Sequence, residues 1–197
     1  MKQIGITMRV DYHEKVDEKR DAIDQRWYKF LNACQLYPIP IPNFMTGLDC
    51  LLTQNWAGFI LTGGNSPESL GGDAPERDQI EQALMELAVK KSIPVLGVCR
   101  GMQVIQHYFG VNLIPVTEHV AVRHTFHYRG SVVDVNSYHH FGALDSVPSL
   151  IVDGRSEDGV IEAISHQSLP IKGIMWHPER EDTFSAVDIE LFKSHFC

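Results

Sequence analysis

The chain has 197 residues, 44% apolar and 21% charged, with a formal net charge of −8. That size and composition suit one sizeable core and exclude a disordered chain, and an acidic balance with no basic run argues against a general nucleic-acid binder. No apolar run is long enough to span a bilayer, and residues 1–5 lead straight into a strand rather than a secretory signal, so a cytoplasmic protein is expected.

Residues 3–10 read as a first strand, followed by a charged segment, 11–21, too polar for a core. Over 21–34, Ile23, Trp27, Phe30, Leu31 and Cys34 recur at helical spacing, so the Trp27, Tyr28 and Phe30 cluster belongs to a buried helix face. The three prolines in 38–42 force an extended edge strand or a connection. A weaker helix is expected over 44–54, then a strand over 57–61 that ends in the Gly-rich loop 62–67. Alone, that loop is an ordinary strand-end turn; its Gly63-Gly64 pair also lets a backbone N–H turn toward an anion. Pro75 opens a helix to about Lys91, with Ile80, Leu84, Leu87 and Ala88 on its apolar face.

The apolar run 92–95 then leads into Leu96-Gly97-Val98-Cys99-Arg100-Gly101-Met102-Gln103 and a helix to Phe109. Cys99 thus stands at a strand-to-helix turn between glycines two residues away on either side, the spacing of a nucleophile elbow with sulfur in place of oxygen. A helix N-terminus beneath the sulfur favours thiolate. Beyond Gly110, strand candidates at 111–115, 131–135, 149–153, 160–165 and 171–176 lack long helices between them, and a last helix spans about 184–196. The pattern predicts a single α/β domain over 1–197, with a mostly parallel central sheet flanked by helices and short, partly antiparallel strands added in the second half.

The strand over 171–176 runs into His177-Pro178-Glu179. Pro178 disfavours helix at His177, so the tripeptide is expected to be extended, with His177 and Glu179 on one face. A histidine takes a thiol proton near neutrality and a carboxylate fixes its orientation, so Cys99, His177 and Glu179 make a triad. The four cysteines, at 34, 50, 99 and 197, show neither disulfide nor zinc spacing. His119, His124, His127, His139 and His140 fit no standard metal-site spacing, so no metal and no cofactor is expected.

Gly97 to Gln103, Thr62-Gly63-Gly64 and Trp176-His177-Pro178-Glu179, in this order, resemble the class I (triad) glutamine amidotransferase superfamily, and within it the peptidase C26 branch of γ-glutamyl hydrolases. Ile4-Gly5-Ile6-Thr7 and Val135-Asn136-Ser137-Tyr138-His139 are similar to the same branch, so the likeness covers nearly the whole chain. The resemblance implies a flavodoxin-like sheet, attack by Cys99 on a γ-glutamyl amide to give a thioester, and an oxyanion hole from the N–H groups of Gly64 and Arg100. It also implies that Gln103, Tyr138, His139, His140 and Phe141 bind the glutamyl group, although His140 stands where many relatives have glycine. The chain is shorter than the typical γ-aminobutyrate enzyme of the branch, and short members cleave γ-glutamyl-CDP-amidate in capsule phosphoramidate synthesis. Arg9, Arg20, Arg123 and Arg129 read either as solvated charge or as receivers of a phosphate on the leaving group. The expected partner is a small γ-glutamyl substrate rather than nucleic acid or membrane. Two alternatives stand beside this: a glutaminase subunit serving a separate synthase, and a non-catalytic thiol sensor.

Overall fold

The computed structural model describes residues 1–47, 50, 51 and 53–196. Its centre is a seven-stranded sheet built from β1 (Lys2–Thr7), β4 (Leu36–Ile41), β5 (Phe59–Leu61), β6 (Val95–Val98), β11 (Leu150–Arg155), β12 (Ile161–His166) and β13 (Ile171–Ile174). The spatial order is β11-β12-β13-β6-β5-β1-β4. Neighbours from β13 through β4 are parallel, and β11, β12 and β13 are joined antiparallel. The mostly parallel sheet with added antiparallel strands is therefore as expected, and the proline-rich β4 is an edge strand.

Strand alternation divides the core between the two faces. Ile4, Ile6, Ile60, Leu96 and Val98 pack with Trp27, Phe30 and Leu31 of α1 (Arg26–Ala33) and with Leu191, Phe192 and Phe196 of α4 (Ala186–Phe196). Phe59, Leu61 and Val95 pack the other way, against Ile80, Leu84 and Met85 of α2 (Pro75–Lys91) and Met102 and Ile105 of α3 (Arg100–Tyr108). Trp27 and Phe30 are thus core, while Tyr28 is exposed.

Several boundaries differ from the sequence reading. The strand expected over 3–10 breaks at Met8: β1 stays in the main sheet, and β2 (Arg9–His13) pairs with β3 (Glu18–Ala22). The charged segment is therefore a hairpin, whose cross-strand hydrogen bonds need no buried face. The first helix starts at Arg26, where the Asp24 carboxylate accepts the backbone N–H, and the last starts at Ala186. Of 111–115 only Ile114–Pro115 (β7) is strand, pairing with Phe141–Gly142 (β10). A long hairpin of β8 (Val120–Tyr128) and β9 (Ser131–Tyr138) replaces the short strand expected at 131–135. The helix expected over 44–54 falls partly outside the described residues, and its described start is a 3₁₀ turn, Met45–Gly47. Cys197 also lies outside them.

Candidate active site

Parallel register brings the expected residues to one sheet edge. Val98 of β6 is level with Ile174 of β13, and Gly97 with Leu61 of β5, so Thr62, Cys99 and the segment leading to His177 emerge at the same carboxyl ends. The Cys99 N–H donates to the Ile174 carbonyl at 2.8 Å, tying the elbow to the strand that delivers the histidine.

The elbow glycines are steric requirements. A Cβ on Gly97 would overlap the Gly101 backbone, and one on Gly101 would overlap the Leu61 carbonyl, so β6, α3 and β5 approach this closely only without side chains there. Cys99 itself has φ 53° and ψ −108°, a conformation that costs a non-glycine residue about 1–3 kcal/mol and is held by its surroundings. Cys99 stands at the N-cap of α3, whose first N–H groups, among them that of Arg100, have no partner within the helix.

His177 is buried at 1% exposure, with Nδ1 2.7 Å from Glu179 Oε1 and Cys99 beside the ring. Burial opposes its charge, but Glu179 and Cys99 outweigh it and raise the imidazole to about 9. Gly63 lies against the ring, where a Cβ would come within 2.6 Å of Cε1. The expectation of an extended His-Pro-Glu is corrected: Pro178–Arg180 is a 3₁₀ turn, because the fixed φ of Pro178 suits a first helical position even as the ring keeps His177 extended. The turn still delivers the carboxylate to Nδ1.

One cleft of about 220 Å³ is lined by Gly64, Cys99, Arg100, Gln103, Tyr138, His139, His140 and Phe141, together with Asn65 and Ser66. All the residues expected to form the oxyanion hole and bind substrate therefore share one wall system with the thiol. Gln103 donates its side-chain amide to the Phe141 carbonyl at 2.9 Å, bracing the loop after β9. The Tyr138 ring meets the His177 ring edge-on at 6.0 Å between centroids and carries the Arg180 guanidinium 4.8 Å from its centre. On the far side of the Gly63-Gly64 loop a second recess runs past Arg9, Trp27, His177, Glu179 and Arg180. Of the four arginines considered from sequence, Arg9 lines this recess and pairs with Asp11 at 2.6 Å, while Arg20 pairs with Glu18, Arg123 with Asp134 and Glu181, and Arg129 stacks on Tyr128.

Three supporting residues were not singled out by the sequence reading. Asn136 clamps the histidine backbone: its Oδ1 accepts the His177 N–H at 2.9 Å and its Nδ2 donates to the His177 carbonyl at 2.8 Å. Arg77, fully buried, donates to the carbonyls of Thr62, Gly63 and Gly64 at 2.7, 3.1 and 2.5 Å. Because a trans peptide sets C=O and N–H on opposite sides, the hold on the Gly63 carbonyl turns the Gly64 N–H away from Arg77. Glu81 joins the Arg77 and Arg100 guanidiniums, and their charges keep its carboxyl below the usual range despite burial. A signal existed: Arg77 and Glu81 stand one helical turn apart inside the stripe of Ile80, Leu84, Met85 and Ala88, where solvated charge has no place.

A family model described as Peptidase C26 matches residues 2–132 and 121–179. The γ-glutamyl-CDP-amidate hydrolase of Campylobacter jejuni is 31% identical over 195 residues, covering 94% of each chain. The γ-glutamyl-γ-aminobutyrate hydrolase of Escherichia coli O157:H7 is 30% identical over 209 residues, covering 84% of this chain and 82% of its own. A crystal structure from Thermoplasma acidophilum, assigned to GMP synthase, superposes with a TM-score of 0.74 at 16% identity, over 100% of this chain and 92% of that one, which is a likeness of fold.

Proposed function

The chain belongs to the peptidase C26 family, and from that premise we propose that it is a cysteine-dependent hydrolase of γ-glutamyl amides working through a glutamyl thioester. The observation that carries this reading is the His177 imidazole held at 2.7 Å by the Glu179 carboxylate beside Cys99 of the elbow, where a Cβ on Gly63 would meet both residues.

The sulfur of Cys99, its proton held on His177, attacks the γ-carbonyl. The N–H groups of Gly64 and Arg100 receive the oxyanion, each donor contributing about 10²–10³ in rate. His177 returns the proton to the departing nitrogen as the C–N bond breaks, leaving the glutamyl group as a thioester. Water then attacks, His177 taking its proton, and glutamate leaves as the thiol is restored. Glu179 orients the ring throughout. Residues Gln103 and Tyr138 to Phe141 hold the glutamyl end, and the recess beside Arg9 and Arg180 takes the leaving group. Both arginines suit a phosphorylated one, which favours γ-glutamyl-CDP-amidate, the substrate in the Campylobacter relative's name. We read residues 1–197 as one domain and the protein as cytoplasmic. No described helix is long and apolar enough to cross a membrane, and Cys34, Cys50 and Cys99 are free thiols.

The test is glutamate release from glutamine, γ-glutamyl-γ-aminobutyrate and γ-glutamyl-CDP-amidate, with Cys99→Ala as control. Turnover of a γ-glutamyl conjugate, at least about 10³-fold reduced in the variant, is expected. Turnover of glutamine alone would reassign the chain as the glutaminase of a separate synthase. Folded protein inactive on all three would favour a thiol sensor.

A further inference from the structure

Behind the loop that follows β9, three side chains converge without satisfying one another. His119, His139 and Glu162 are 1%, 2% and 0% exposed, and a ligand atom from each lies within 4.8 Å of the others. His119 Nδ1, His139 Nε2 and both Glu162 oxygens have no hydrogen-bond partner among the described residues.

The other ring nitrogens fix which atoms these are. His139 Nδ1 lies 3.0 Å from the Phe141 carbonyl, which can only accept, so Nδ1 donates to it and Nε2 is the atom turned toward Glu162. His119 Nε2 lies 2.9 Å from the Asp158 carboxylate and donates to it, so Nδ1 is the atom turned toward Glu162. The two nitrogens stand 3.3 Å (His119) and 3.6 Å (His139) from Glu162 Oε1. Three buried ligand atoms turned toward one another, one of them a carboxylate oxygen, favour a cation between them. A proton on His119 Nδ1 would bridge only the 3.3 Å contact to Glu162, longer than a charge-assisted bond of about 2.7–2.9 Å, and would leave His139, at 3.6 Å, without a partner. Ligands about 2.0–2.1 Å from a tetrahedral ion stand roughly 3.3–3.4 Å apart, close to the 3.3 and 3.6 Å from Glu162 to the two histidines. A metal-binding histidine ordinarily donates its second N–H to a carbonyl or carboxylate, as both of these do.

We propose that His119 Nδ1, His139 Nε2 and a Glu162 oxygen bind a divalent transition ion of the zinc type. The site joins the residue before β8, the loop after β9 and the strand β12, so the ion pins the loop whose Tyr138, His140 and Phe141 line the cleft. The fourth position is left for water or another small ligand. The bound ion is structural, and the triad chemistry needs no step through it.

The experiment uses the full chain carrying Cys99→Ala, so that the elbow thiol does not compete. Dialysed against zinc and then buffer, it is expected to retain about one ion per chain. Cobalt in its place should give the visible d–d bands of a tetrahedral nitrogen and oxygen site without thiolate charge transfer. Glu162→Gln should cut retention at least tenfold. Because that variant removes a buried charge, Asp158→Asn, at a half-exposed residue, serves as the variant that keeps its fold, and should weaken zinc about 10–100-fold. Failure of the parent to retain zinc, retention unchanged in both variants, or a thiolate charge-transfer band would each overturn the assignment. None of these readouts depends on turnover, so the metal site and the hydrolase reading fail separately.

Discussion

At the scale of single residues, the controlling fact is that His177 holds its proton well above the ordinary histidine range, at about 9, although burial alone would strip it. A neutral imidazole beside a thiolate has no proton to give a departing nitrogen, so activity should fall on the alkaline side as that proton is lost. Glu179 raises the imidazole, so replacing it with a neutral amide must lower it. Glu179→Gln should therefore move the alkaline limb of kcat/KM down from about 9, toward the ordinary histidine value of about 6.5, and lower the maximum. An unmoved limb would assign it to another group. Cys99 and His177 were legible from sequence because their neighbours are diagnostic: glycines that permit the turn and a proline that bars helix. Asn136 was not, since an amide that clamps a histidine's backbone has no spacing of its own, the partners being 41 residues apart.

At the scale of elements, α2 does more than cover the sheet. Through Arg77 and Glu81 it holds both proposed oxyanion donors, the Gly64 loop by its carbonyls and the head of α3 through the Arg100 side chain. Arg77→Met would leave the Thr62 to Gly64 carbonyls without their donor and Glu81 with one guanidinium fewer. The expected result is a loss of about 3–5 kcal/mol in stability, from denaturant unfolding, with kcat reduced more than KM is raised. Unchanged kcat in a folded variant would show that the loop keeps its shape unaided. Elements with a strong period or a turn signature were readable in advance, as with α1, α2 and the strands of the parallel half. The two hairpins were read only in part: 131–135 was expected as strand and belongs to β9, whereas β3 is almost wholly charged, and β8 alternates from Val122 to Tyr128 but with Arg123, His124, Thr125 and His127 among its residues. The sequence reading set His119 and His139 aside as metal ligands on their spacing and did not consider Glu162, because metal motifs are read along a chain while these three meet only when three separate segments are laid side by side.

At the scale of the whole molecule, both faces of one sheet share the core, and the Lys2 ammonium donates to the Phe196 carbonyl at 2.9 Å, linking the first strand to the last helix. Unfolding in urea should therefore be one cooperative event, with far-UV circular dichroism and tryptophan fluorescence tracing the same midpoint; two separated transitions would divide the domain. The order of the sheet bears also on how the molecule is made. β6 and its cysteine leave the ribosome with the first half of the chain, yet the strand that carries the histidine, β13, is completed near the end, and it must slot between β6 and β12. Cys99 precedes His177 by 78 residues, 177 less 99, which at about 5–20 residues per second is roughly 4–16 s of synthesis. Through that interval the nascent chain holds Cys99 without the strand that carries His177. On the proposed triad reading, the elbow therefore meets its base only once β13 has paired with β6, so the chemistry waits on the placement of a strand made several seconds after the nucleophile.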